Sequence, residues 1–377
     1  MKKRLLICLL LCAAMQSVLS GCRTAGRQQA ETAAERMENS SRESGGDFRR
    51  TRVTPGTKIT ELEDGLSVVL YEGDYGFDRF LETGGAGSDA EVAEYLMEQI
   101  SSGGLKLLFG ENPFGCSTLS VAGNNGGFLF GRNFDWNSCS GLVISARPDH
   151  GYASVCTANM DFVRAGGIDI SRLPDSVQAV IGLYAPLDGM NEKGLAVSVN
   201  MIQDSAVIDQ QTGKTGLTTT TAVRLMLDQA ADVQEAVSLL EKYDLHASMG
   251  MMVHFALADA EGNSAVVEYI GQEMTVTQTP AVTNFYLAQG EKYGTGTKQS
   301  HVRYDILMQA LKRQETMSEA ELRDTLDSVS KDNFGEFEST EWSIVMNQET
   351  KELTYFHREN YENGYTVAVG QQEGGRQ

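Results

Sequence analysis

The stretch FGCSTLSVAGNNGGFLFGRNFDW, Phe114–Trp136, decides how this chain is read. Two strand-like runs, STLSVAG and GFLFGRNF, flank Asn124-Asn125-Gly126-Gly127. Asn-Gly supplies the positive φ angles of a tight hairpin turn, so the stretch predicts a β-hairpin. A turn centred on Asn125-Gly126 sets Cys116 opposite Asp135; a turn centred on Asn124 sets it opposite Arg132. Either register brings the thiol to the Arg/Asp end of the neighbouring strand. Arg132 and Asp135 are three residues apart and point to opposite faces of a regular strand. A bulge, or a strand ending near Asn133, is needed for both to reach the sulfur. The other reading of the same geometry is a cross-strand ion pair beside a buried cysteine.

Around this hairpin the elements come in blocks. GLSVVLYEG predicts a strand ending at Gly73, and GSDAEVAEYLMEQISSGG a helix capped by Ser88 with Glu91. Gly85, Gly87 and Ala90 superficially fit a dinucleotide fingerprint, but DRFLET before them reads as helix where a strand is required. GLVISA, GYASVCTANM and the strand after GMNEKG follow the hairpin. TTTTAVRLMLDQAADVQEAVSLLEKY breaks into two helices near Ala231-Asp232, with apolar spacing close to the helical period. MMVHFALADAEGNSAVVEYI predicts a second hairpin and TPAVTNFYLA a strand. Helices over SHVRYDILMQALKRQ and SEAELRDTLDSVS precede the hairpin EWSIVMNQETKELTYFH and a last strand, GYTVAV. Blocks of strands and helices predict an α+β protein with antiparallel sheets packed against helix layers, not a doubly wound parallel sheet.

Length and composition set the frame. The chain has 377 residues, 41% of them hydrophobic, enough for a sizeable core. Acidic residues outnumber basic ones 51 to 31, which argues against a nucleic-acid partner. Met1-Lys2-Lys3-Arg4, the apolar run Leu5–Leu19 and Leu19-Ser20-Gly21-Cys22 form a targeting segment. The tetrapeptide resembles a bacterial lipobox, which makes Cys22 the lipidated residue; an ordinary signal peptide or an uncleaved anchor are the alternatives. On the lipobox reading, residues 1–21 are a signal peptide. The body is then extracytoplasmic, held to the bacterial cell membrane by lipid. Residues 22–56 read as a flexible linker rich in Gln, Glu, Ser and Arg. Residues 57–115 form an N-terminal segment or propeptide, and 116–377 a catalytic domain. Cys116, Cys139 and Cys156 remain in the body. A Cys139–Cys156 disulfide leaves Cys116 free, and three reduced cysteines are the alternative.

The hairpin and its context resemble the cysteine N-terminal-nucleophile hydrolases of the choloylglycine hydrolase, penicillin V acylase and acid ceramidase superfamily. Gly115-Cys116-Ser117-Thr118, GRNFDW, GMNEKGLAVSVN, VTN at Val282–Asn284 and SHVRY ending at Tyr304 carry the resemblance. It extends from about Gly115 to Val369. The resemblance implies an αββα sandwich, two stacked antiparallel sheets between helix layers. It also implies that Cys116 is the nucleophile and that Arg132 and Asp135 hold and polarise it. Asn200 would lend a backbone N–H to the oxyanion hole and Asn284 its side-chain amide, with Arg303 the second arginine. The stretch Asn191–Asn200 is a residue shorter than in bile-salt hydrolases, and the interval from Asn284 to Arg303 is nearer the acid ceramidase branch. A bile-salt specificity therefore does not transfer.

The chemistry of the residues points the same way. A mid-chain cysteine has a pKa near 8.5, and no base stands beside this one in sequence. Cutting the Gly115–Cys116 bond gives the thiol its own α-amine, with a pKa of about 7.7–8.0, able to take the thiol proton. Gly115 leaves its carbonyl open to the sulfur and tolerates a strained turn. Self-cleavage followed by amide hydrolysis through a thioester is the expectation, with a small N-acyl amide as substrate. An acyltransferase on the same fold, or a non-catalytic binding lipoprotein, are the rivals. Asn200 shares a small, polar strand face with Ala196 and Ser198. Arg303, in the first turn of its helix, needs a carboxylate partner or a substrate. The two arginines hint at an anionic group on the substrate. No H-E-x-x-H, C-x-x-C or P-loop occurs, so no metal or cofactor is expected. His254 falls in an alternating strand and reads as structural.

Overall fold

The computed structural model describes residues 46–100, 115–164, 170–290, 292, 294–331 and 339–370. The signal segment, Cys22 and the linker up to residue 45 lie outside the described residues, as do residues 101–114 before the hairpin.

Strands β1 (Arg49–Arg52), β2 (Thr60–Glu63), β3 (Leu66–Glu72), β4 (Gly115–Gly123) and β5 (Phe128–Trp136) come first. They are followed by β6 (Gly141–Arg147), β7 (Ser154–Asn159), β8 (Pro186–Asn191), β9 (Ala196–Met201), β10 (Gly216–Thr218) and β11 (Asp244–His246). Next are β12 (Val253–Ala258), β13 (Ser264–Ile270), β14 (Glu273–Gln278), β15 (Ala281–Val282) and β16 (Thr316–Met317). The last are β17 (Ser339–Asn347), β18 (Glu352–His357) and β19 (Asn363–Ala368). One large sheet runs β1-β19-β18-β17-β5-β4-β15, with β16 also on β4; the other large sheet runs β14-β13-β12-β9-β8-β7-β6-β3-β2, and β10 pairs with β11 in a small two-stranded sheet. Helix Glu319–Asp327 covers β5 and β17, and helices Asp175–Leu183 and Thr219–Gln229 cover the second sheet. The architecture is the expected α+β αββα sandwich.

Alternation along β5 explains the layering. Phe130, Arg132 and Phe134 project between the sheets, while Gly131, Asn133 and Asp135 project toward helices. At Gly131 a Cβ would stand 3.0 Å from Leu322 Cδ1, so glycine lets the helix seat. That helix starts at a reciprocal cap, Ser318 with Glu321. Phe134 stacks on Trp342 at 4.0 Å between centroids, which ties β5 to β17 inside the core.

Four expectations need correction. The linker ends earlier than residue 56, because β1 pairs in parallel with β19 and Phe48 packs edge-on against Phe356. The sheets are not wholly antiparallel: β1–β19, β3–β6 and β4–β16 run parallel. TPAVTNFYLA pairs only at Ala281–Val282, since side chains take over its hydrogen bonding from Thr283 onward. GMNEKG is the turn of a hairpin whose first strand, β8, was not anticipated.

Candidate active site

The β4–β5 register lies between the two that turn chemistry suggests. Cys116 pairs with Phe134, Gly115 with Asp135 and Thr118 with Arg132. Arg132 is thus the diagonal neighbour of Cys116 on the same face. Asp135 lies on the opposite face, and β5 runs regularly through both residues, so the bulge or early strand end does not occur on β5. The predicted residues therefore divide into two groups, one on each side of this sheet, joined through Cys116 itself.

On the inter-sheet side, Arg132 Nε donates to Asp188 Oδ2 at 2.5 Å and Nη1 to Asn200 Oδ1 at 3.2 Å. Both members of the Arg132–Asp188 ion pair have no solvent-accessible side-chain surface. Trp342 Nε1 also donates to Asp188 Oδ2, at 3.1 Å. Asp188 is a site residue that sequence reading missed. An acid inside an otherwise apolar run, LYAPLDGM, was the available signal. Asn200 lies on a fully buried strand between β8 and β12. Its Oδ1 also accepts from Ser198 Oγ at 2.9 Å, while its Nδ2 is buried without a hydrogen-bond partner. The Cys116 thiol itself is fully buried and donates to Val199 O at 3.5 Å.

The other group holds the Cys116 backbone. Asn284 Oδ1 accepts from Cys116 N at 3.0 Å and from Arg303 Nη2 at 2.6 Å. Arg303 Nη1 donates to Cys116 O at 2.9 Å and to Asp135 Oδ2 at 3.1 Å. Asn284 Nδ2 is engaged by Met201 O at 2.7 Å. Helix Lys298–Arg313 begins two residues before SHVRY, after the Thr297 cap, so Arg303 sits in its second turn and not its first. His254 braces this segment from below. Its ring nitrogens meet Glu268 Oε1 at 3.1 Å and Thr283 O at 2.8 Å, and Glu268 accepts from Leu287 N and Ala288 N. Both arginines are neutralised by aspartates of the chain, which removes the hint of an anionic substrate group.

Burial pushes the Cys116 thiol above its ordinary pKa, opposed by the Arg132 guanidinium. Burial also works against the Arg132 charge, but the facing sulfur and Asp188 outweigh it and hold its pKa above the usual value. Uncut, the site holds a protonated thiol bonded to Val199 O, and among the described residues no side-chain base is hydrogen-bonded to it. Cys139 and Cys156 are also free, so the disulfide alternative does not hold. Burial drives Cys156 up to about 12 and, with Glu341 adding to it, Cys139 well above its ordinary value. Neither is expected to react with a maleimide until the fold is opened, as peptide mass mapping would check; labelling of either in native protein would contradict the packing.

A cavity of about 180 Å³ opens near the Asn284 segment, lined by Ile208, Met252, Tyr269 and Tyr286 with Asp204 and Lys292 at polar positions. Among the described residues no cluster of His, Cys, Asp or Glu is placed to hold a metal, and no helix is long and apolar enough to cross a membrane.

Comparison with known proteins follows the same lines. Residues 176–361 match the family model described as acyl-coenzyme A:6-aminopenicillanic acid acyl-transferase. A penicillin V acylase from Pectobacterium atrosepticum is 32% identical over 105 residues, covering 25% of this chain and 28% of that protein. The chain thus matches little more than a quarter of that relative's length. Two variants of conjugated bile acid hydrolase from Clostridium perfringens share the fold, with TM-scores of 0.52 and 0.53. They are 17% and 16% identical, each covering 68% of this chain, and are themselves covered to 93% and 94%. The chain is thus similar in sequence to an acyl-transferase family and to a penicillin V acylase, and it shares the fold of conjugated bile acid hydrolase.

Proposed function

We propose that this protein is a self-cleaving cysteine amidase that hydrolyses linear, non-peptide N-acyl amides through a thioester on Cys116. The observation that carries the reading is the cradle around the Cys116 backbone. Asn284 Oδ1 already accepts from Cys116 N, and Arg303 already binds Cys116 O. A cut between Gly115 and Cys116 would leave the new α-amine beside an acceptor, with the Asp135 carboxylate next to the departed residue. That amine is the base the buried thiol otherwise lacks. Arg132, held by Asp188, faces the sulfur and would favour its thiolate. The buried, unpartnered Nδ2 of Asn200 is a donor free to meet a developing oxyanion, so the Asn200 side chain adds to, or replaces, its backbone N–H in that role. Asn284 Nδ2 gives one of its two N–H donors to Met201 O and could offer the other there. The apolar cavity near Tyr286 would take part of the acyl group.

Acyl transfer to an amine is the second reading, favoured by the description of the matched family model. An N-acyl amide supplied with an added amine separates the two. Hydrolysis predicts free acid as the main product across a range of amine concentrations. A new amide dominating at low millimolar amine would overturn hydrolysis as the main reaction. The N-terminal segment supports lipid anchoring at Cys22 on the outer side of a bacterial membrane, and residues preceding Cys116 would shield the site until cleavage.

A further inference from the structure

We propose that Lys331 is a catalytic residue of the self-cleavage step, its ammonium stabilising the oxyanion that forms on Gly115. The inference rests on the self-cleavage reading above. The Lys331 side chain is buried, and its Nζ lies 3.7 Å from Asp135 Oδ2. A Cβ built on Gly115 would stand 2.5 Å from Lys331 Nζ and 2.8 Å from Asp135 Oδ2. A Cβ sits about 2.5 Å from its own carbonyl carbon, so Nζ lies within about 5 Å of the carbon under attack. Thr340 fixes this placement. Its Oγ1 accepts from Lys331 N at 2.8 Å and donates to Asp135 Oδ1 at 2.8 Å, and its N donates to Lys331 O at 2.9 Å.

Gly115 does not have a positive φ and lies in a regular strand, so backbone strain is not why glycine stands there. Space is: any side chain would displace Lys331 or Asp135. The direction of attack gives the ammonium its role. The thiol lies on the inter-sheet side with Arg132, and Lys331 lies with Asp135 on the helix side. When sulfur adds to a planar carbonyl, the other substituents bend away from it, which carries the oxygen toward the helix side. In the step, the bond from Sγ to the Gly115 carbonyl carbon forms and that carbon's bond to Cys116 N breaks. The thiol proton ends on Cys116 N, now the free amine. Water then hydrolyses the thioester, its OH going to Gly115 and its H to Sγ. Lys331 loses and gains no atoms.

The test follows the appearance of the fragment beginning at Cys116 by intact mass, in the full chain and in Lys331→Met, Lys331→Arg and Gly115→Ala. Lys331→Met is expected to cleave at least about tenfold more slowly, and Lys331→Arg to recover most of the rate. Gly115→Ala, which pushes the ammonium aside but keeps it, is also expected to be slow. Cleavage of Lys331→Met or Gly115→Ala at the parent rate would overturn the proposal, as would Lys331→Arg being as slow as Lys331→Met. If the parent chain itself never cleaves, the self-cleavage reading fails first and this role with it.

Discussion

Cys116→Ala is expected to give a chain that stays uncut and turns over amide substrates at least roughly 10⁴-fold more slowly than the parent. The size follows from how the other candidate nucleophiles among the described residues are held. Cys139 and Cys156 are buried, and their thiols are held well above the ordinary pKa, so neither can supply a thiolate near neutral pH. His254 cannot act as an alternative nucleophile or base while both ring nitrogens are bound to Glu268 and Thr283. The substitution removes one buried sulfur, a loss of about 1 kcal/mol that leaves the fold intact. Intact mass reads the cut, and release of acid from a panel of N-acyl amides reads turnover. Cys116→Ser sharpens the result, because a hydroxyl is a weaker nucleophile: slow cleavage with slower hydrolysis is expected. Turnover by an uncut parent chain would sink the mechanism, and a parent with neither cut nor turnover would favour the non-catalytic binding protein.

What could be read from the sequence was local. The Asn-Asn-Gly-Gly turn announced the hairpin, and the actual register, Cys116 with Phe134, falls one residue from the Asp135 pairing and two from the Arg132 pairing. A two-residue turn and a longer one use the same residues, so turn chemistry alone leaves the register open. The rule that residues three apart face opposite ways held for Arg132 and Asp135. Its consequence, two groups on two sides of one sheet, requires knowing that both sides are buried. Arg303 was expected to meet a carboxylate or a substrate; that it meets Asp135 depends on a helix reaching a strand 168 residues away in sequence. Asp188 was overlooked for the same reason. In LYAPLDGM the lone acid among apolar residues is a local mark without a partner, and the stacking of β8 on β5 is what brings it to Arg132. The parallel pair β3–β6 was equally hidden, since alternation within a strand does not state its direction relative to a neighbour.

Asp188 carries the second large effect. Asp188→Ala removes the counterion of a guanidinium that has no access to water, and is expected to cost about 3–5 kcal/mol of stability, read as a lower denaturant midpoint. Asp188→Asn keeps an acceptor for Arg132 Nε and Trp342 Nε1 and is expected to cost less. It should still lower turnover by about tenfold or more, because Arg132 would no longer be locked beside the sulfur. Stability and chemistry come apart in the double variant Arg132→Met with Asp188→Leu. Replacing a buried ion pair by apolar groups of similar size is often neutral, so most of the midpoint is expected to return, less what the stranded Trp342 N–H costs. Turnover is not expected to return, since no guanidinium then faces the thiol. A double variant that is stable and also fully active would mean that the Arg132–Asp188 pair serves the fold alone, and that the thiolate at Cys116 is favoured by something else.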